Sequence, residues 1–255
     1  MRNEKTTIMK ANNGFSLIEM AIVLFIVALL MGGLLPTISS QIEQKNRSDT
    51  RKKLDEIQQA LLGYAIINGR LPCPASNTSN GLESPSTGGN CSNFFNGFVP
   101  AATLGLSPIN NQGLLLDEWN NPIRYAVSNK TIGISTFALT TTNGMKNATI
   151  SSLAGTSLLY VCSSATNITT TACGPSPVIT LTSDASAVIF SLGKNGGTTA
   201  AGIDETANSI ASNDKMFVSH DPAPVGATNG EFDDILVWIP SVTLINRMVT
   251  AGQLP

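Results

Sequence analysis

A carboxylate, Glu19, stands inside the apolar run FSLIEMAIVLFIVALLMGGLLP, which extends from Phe15 to Pro36. The run holds about 20 nearly continuous apolar residues, enough to cross a bilayer. An acid in hydrocarbon is expensive unless it is paired or reaches the interface, so Glu19 raises the question of a partner. Other side chains with catalytic chemistry are few. The single histidine, His220, leaves little scope for histidine-based catalysis or a multi-histidine metal site. His220, Asp221 and one of many serines could be drawn as a triad, but no GxSxG, HExxH or GxxxxGK[ST] pattern accompanies them. No enzymatic activity is expected from this set.

The four cysteines are Cys73, Cys91, Cys162 and Cys173. None forms a CxxC, which argues against a zinc ribbon or a thioredoxin motif. Four cysteines allow three connectivities, and the sequence alone does not choose among them. Cys73–Cys91 and Cys162–Cys173 are favoured because each closes a short loop, a reading that needs an oxidising compartment. Four free thiols are the alternative.

The elements that must position these residues follow from pattern. Residues 1–14 are polar, with Arg2, Lys5 and Lys10 against Glu4. The apolar run that follows is longer than an ordinary signal-peptide core and lacks an AxA cleavage site, so it is expected to stay as an anchor. Lys45, Arg47, Arg51, Lys52 and Lys53 lie beyond it, so charge alone does not orient it. Ile38, Ile42, Leu54, Ile57, Leu61 and Tyr64 continue a helical spacing, with Arg51–Asp55 and Lys52–Glu56 as pairs on an exposed face. Asn68, Gly69 and Pro72 should end the helix, giving roughly 80 Å from Ser16 at ~1.5 Å per residue. Pro36, with Gly32 and Gly33, is a place where it could bend or locally melt.

After Pro72 the texture changes to a loop-rich 73–113 and then to short β-rich runs: IRYAVS, TIGISTFALTTT, SLLYVCSS, VITLTS, SAVIFSLG and DILVWIP. These predict an antiparallel sheet with the long helix packed on it, an α+β fold. The net charge of −2, without a basic patch, gives no indication of a nucleic-acid partner.

The junction KANNG/FSLIEM resembles the cleavage and methylation site of type IV pilins and of type II secretion pseudopilins. The resemblance implies a prepilin leader, 1–14, removed after Gly14 by a membrane peptidase that also N-methylates Phe15. It places Glu19 fifth in the mature chain and Pro36 twenty-second, where that family has an assembly glutamate and a helix-kinking proline. It also implies Glu19's partner: the amine of Phe15 on an adjacent subunit. Segments 15–36 and 37–70 become the transmembrane assembly helix and its periplasmic continuation. Segment 71–255 becomes the globular pilin-like domain, with a Ser/Thr-rich insertion around 130–185. The implied partners are other pilins or pseudopilins, the peptidase/N-methyltransferase, an inner-membrane assembly platform and the membrane itself. The implied location is the bacterial inner membrane, single-pass, with the C-terminal domain in the periplasm.

Two later segments extend the resemblance. DEWNNPIRYAV (117–127) is similar to the Asp-x-Trp-Gly-Asn-Pro segment of major pseudopilins, with Asn120 in place of the glycine. FSLGKNGGTTAAGIDE with EFDDILVWIP resembles their closing calcium-binding segment, with Asn195 where an aspartate is common, Trp238 one residue late and a longer loop between. Oxygen ligands for calcium would come from Asn195, Asp204, Glu205, Glu231, Asp233 and Asp234. The expectation is a structural filament subunit serving type II secretion. A minor type IV pilin acting in adhesion, DNA uptake or pilus assembly is the runner-up, and an anchored enzyme a third class.

Overall fold

The computed structural model describes residues 14–148, 152, 157–196, 202–209 and 214–254, with the side chains of 31–38 outside the description. The leader positions 1–13 and the side chain of Pro36 therefore lie outside the described residues. The chain divides into two compact units, 1–45 and 46–255.

Helix α1, Leu17–Asn68, runs without interruption in its helical assignment, Pro36 included, so the local melting expected there is not observed. In the first unit every described side chain from Leu17 to Leu30 is exposed, Leu17 at 89%. A helix that is apolar all round has no solvated face, and needs lipid or other helices around it. In the second unit the pattern becomes amphipathic. Leu54, Ile57, Leu61, Leu62 and Ala65 are buried, while Arg51, Lys52, Asp55 and Glu56 are exposed. Lys52 pairs back with Asp49 at 3.0 Å rather than forward with Glu56, and Lys53 reaches Glu118 at 2.8 Å. The helix stops where Gly69 adopts a left-handed φ of 67° and donates to the Ala65 carbonyl, a conformation glycine takes without steric cost.

Six strands form one sheet: β1 Gly97–Phe98, β2 Arg124–Val127, β3 Leu159–Cys162, β4 Thr180–Ser191, β5 Met216–Val218 and β6 Ile235–Pro240. The long β4 is central. It pairs with β2 over 187–190, with β6 over 185–191 and with β3 over 180–185, all antiparallel. The fold is α+β as expected, but the sheet is mixed, because β5 lies parallel to β3. A parallel neighbour requires a long crossover, and the chain between these strands, which includes β4, supplies it. Short helices α2 (Ala101–Leu104), α3 (Gly144–Asn147) and α4 (Ile203–Ser209) lie between strands, and α5 (Ser241–Thr250) follows β6. The buried face of α1 shares one core with Tyr125, Val188, Ile189, Phe190, Leu236 and Ile239.

Two strand expectations are corrected. TIGISTFALTTT is a series of turns, with Gly133 and Phe137 at positive φ and Ala138, Leu139 and Thr140 turned into the core. VITLTS and SAVIFSLG are one strand, not two. Asp184 does not break it, because its carboxylate oxygens accept from the Thr182 and Ser241 hydroxyls.

The disulfides are Cys73–Cys91 and Cys162–Cys173, the favoured pairing. Beside the first, Glu83 is buried and accepts two hydrogen bonds from Arg70 (2.7 and 2.8 Å), one from the Tyr64 hydroxyl (3.0 Å) and one from the Cys73 amide (3.0 Å). Burial and the Glu83 charge push the Tyr64 hydroxyl up to about 12. Breaking a buried pair strands a charge, so Glu83→Ala should cost about 3–5 kcal/mol. Urea unfolding of the variant against wild type measures this; a loss near zero would show that Arg70 finds solvent.

Candidate functional site

The first site is the entry to α1. Gly14, Phe15 and Ser16 are non-helical and exposed. Ser16 then caps the helix: its Oγ accepts the Glu19 amide (3.2 Å), and Glu19 Oε2 accepts the Ser16 amide (2.8 Å). This is a reciprocal capping box, in which two otherwise unpaired N–H groups at the helix start are satisfied. Glu19 therefore does have a partner within its own chain, and the signal was legible as Ser-x-x-Glu before an apolar run. The cap uses Oε2 and leaves Oε1 as an acceptor. Around Gly14 there is nothing within 4 Å of where a Cβ would stand, so the fold itself makes no demand for glycine there.

The second site joins three turns in the globular unit. Asp117 is buried and organises DEWNNP: its Oδ1 accepts the amides of Trp119 (2.9 Å) and Asn121 (2.8 Å), and its Oδ2 accepts the Ser191 hydroxyl (2.6 Å). Desolvation raises its carboxyl above the ordinary value, and the Ser191, Asn121 and Trp119 hydrogen bonds pull it back. Asn120 has a φ of 66°, a left-handed position that asparagine tolerates, which explains how it replaces glycine. Asn121 Nδ2 then donates to the Gly193 carbonyl at 2.6 Å. Gly193 also has positive φ, and a Cβ there would stand 2.1 Å from Asp233 Oδ1.

Beyond this turn Asp233 Oδ2 accepts the Lys194 and Asn195 amides (2.9 and 3.3 Å), and Arg47 donates to the Asp233 carbonyl at 3.1 Å. Carboxylate oxygens of Glu205, Asp233 and Asp234 lie within 4.8 Å of one another. Asn195 Nδ2 donates to Glu205 (2.8 Å) and Asn208 Nδ2 to Asp234 (2.7 Å). Asp233 Oδ1 is buried with no hydrogen-bond partner among the described residues. Desolvation, then the neighbouring Glu205, raises Asp233 to about 6. Desolvation also holds Asp234 well above the carboxylate range, with Glu205 and Asp233 adding to it and Asn208 and Arg47 opposing.

Of the residues expected to ligate, Glu205, Asp233 and Asp234 converge with Asn195 beside them. Glu231 is outside that group, though its charge raises Asp233. Asp204 turns the other way. It accepts from Ser164 Oγ, the Ala165 amide and Asn229 Nδ2, and lies 3.2 Å from His220 Nε2. His220 Nδ1 meets the Asp221 carbonyl at 2.6 Å, and the ring stacks on Phe232. Both ring nitrogens are thus engaged away from any serine, so His220 and Ser164 do not form a nucleophile–base pair.

A carboxyl raised in the folded state stabilises the fold at low pH and loses that contribution as pH climbs through about 4 to 6. Asp233→Asn keeps an oxygen for the two amides and removes the titration. In chelator, the variant should gain ~1–3 kcal/mol on wild type between pH 4.5 and 7.5. Denaturation at both pH values checks this; an equal difference at each would mean that Asp233 titrates normally.

Residues 9–35 match the family model of the prokaryotic N-terminal methylation motif. No curated protein and no solved structure matches the chain. The matched segment contains Gly14, Phe15 and Glu19 and ends one residue before Pro36. The chain therefore carries the prokaryotic N-terminal methylation motif, at the entry to and along the first part of helix α1.

Proposed function

We propose that this protein is a filament subunit, cut after Gly14, N-methylated on Phe15 and assembled through the first half of α1. The observation that carries the reading is the exposed Gly14–Phe15 junction, set before a capped helix whose apolar side chains are exposed all round. Among the described residues no helix is long and apolar enough to cross a membrane. In the sequence the apolar run continues through residues 31–36, whose side chains are outside the description. Anchoring in the inner membrane by 15–36, with the disulfide-bonded domain in the oxidising periplasm, is part of this reading. In a filament Glu19 Oε1 would take the Phe15 ammonium of a neighbouring subunit, and a charge pair in low dielectric favours one axial register.

Type II secretion is the first choice of machine. The two segments that resemble pseudopilins are tied together through Asp117–Ser191 and Asn121–Gly193. A minor type IV pilin is the second reading, supported by an uncharged cleft at the Cys162–Cys173 loop.

Calcium fits the cluster chemically. The donors are all oxygen, three carboxylates converge, and Asp233 Oδ1 is buried without a donor among the described residues. Glu205, Asp233 and Asp234 would hold the ion, which would neutralise their repulsion and fix the closing segment.

Intact mass of the protein from its native membrane should correspond to a chain beginning at methylated Phe15. Gly14→Ala should remain uncut while the domain folds normally, and Glu19→Ala should be cut but fail to enter filaments. Normal cutting of the first variant or normal incorporation of the second would overturn its assignment. Saturating calcium at about 100 Kd should raise stability by ~2.7 kcal/mol in wild type and much less in Asp233→Asn. An unchanged Tm with calcium would exclude the ion.

A further inference from the structure

The chain from Ser163 to Val178, together with Thr228 and Asn229, encloses a cleft of ≈ 330 Å³. Its walls have two characters. Thr166, Asn167 and Asn229 present hydroxyl and amide groups, while Pro177 and Val178 present carbon. None of the ten lining side chains is ionisable.

Behind the polar wall lies a buried charge. Asp204 is 2% exposed. A carboxylate has about four acceptor positions. Asp204 meets four groups: Ser164 Oγ at 3.0 Å, the Ala165 amide at 2.5 Å, Asn229 Nδ2 at 3.0 Å and His220 Nε2 at 3.2 Å. Asn229 Nδ2 also lies 2.8 Å from Ser164 Oγ and 3.3 Å from Thr166 Oγ1, and the two hydroxyls are 3.0 Å apart. The amide nitrogen of Asn229 is thereby committed inward, which leaves its Oδ1 as an acceptor. The Cys162–Cys173 disulfide closes the loop that carries Ser164, Thr166 and Asn167, and Pro175 and Pro177 stiffen another part of the lining. The polar groups are therefore held before any ligand arrives, which lowers the entropy lost on binding.

A wall without charge selects against ions, and the buried Asp204 behind it selects against anions in particular. Uncharged donors and acceptors together with a carbon surface suit a ring that has hydroxyls on its rim and C–H groups on its face. The volume accommodates one such ring with its bound water. We propose that this cleft binds a neutral hexopyranose unit, whose hydroxyls meet Thr166, Asn167 and Asn229 and whose C–H face lies on Pro177 and Val178, with the hydrogen-bond-saturated Ser164 holding the wall in place. The proposal concerns the globular unit alone and stands or falls independently of processing and filament assembly.

The test is a titration of the full-length protein in detergent with the methyl glycosides of glucose, galactose, mannose and N-acetylglucosamine, followed by NMR of labelled threonine and valine methyls. At least one glycoside should bind with a Kd on the order of 1 mM, as expected for so small a ligand, and shift the Thr166, Thr228 and Val178 signals. Methyl glucuronide should bind at least tenfold more weakly. Asn167→Gly suits the left-handed backbone at 167 (φ 54°) and deletes the amide, while Thr228→Trp fills the cleft from an exposed position. Each should weaken binding tenfold or more with an unchanged Tm and both disulfides intact. An oligosaccharide ending in the bound sugar separates a glycan chain, which would bind equally well, from a small solute, which alone would bind. No methyl shift with any glycoside at 20-fold the expected Kd would overturn the proposal. So would shifts that persist undiminished in Thr228→Trp, or tighter binding of the glucuronide.

Discussion

Leu54, Ile57, Leu61 and Ala65 form the apolar stripe on α1 against which the sheet builds its core, and the rest of the globular unit depends on that burial. The stripe works because the opposite face is charged. Earlier in the same helix there is no opposite face: Leu17 to Leu30 is exposed apolar surface throughout, broken only by an acid that caps the helix start. One uninterrupted element thus has to serve two solvents. Its later half is satisfied by its own chain, and its earlier half leaves apolar side chains exposed on every side.

The globular unit is organised by buried acids more than by regular structure. Glu83 holds the end of α1 to the loop after Cys73, Asp117 organises its own turn and grips Ser191, and Asp204 gathers Ser164 and Asn229. Each has donors for its oxygens. Asp233 is the exception, with one buried oxygen unpartnered while the other takes two amides. Against acids so fully hydrogen-bonded, an oxygen without a donor among the described residues carries more weight than the convergence of three acids alone.

The helix bounds were legible because Asn68, Gly69 and Pro72 are local stop signals and need no tertiary context. The disulfides were legible by loop length, and DEWNNP by turn chemistry. The strands were less so. TIGISTFALTTT alternates like a strand, yet two positive φ values curl it, and its apolar residues reach the core from turns. Ser183 and Asp184 read as a break, and only the Thr182 and Ser241 hydroxyls let β4 pass through. Adjacent acids 204 and 205 were read as one ligand set. On a helix neighbouring side chains diverge by about 100°, and these two serve different sites. The Ser16 cap is encoded locally, in the hydroxyl three residues before Glu19.

Arg47 donates to the main-chain oxygen of Asp233, not to a carboxylate. The grip that α1 keeps on the closing segment is consequently blind to the charge state of the acids around it. Protonation, a bound cation or an amide in place of Asp233 would each change the local field yet leave that oxygen where it is. Mechanical attachment and electrostatic response are separated within a single residue, so the segment can be tuned without being let go.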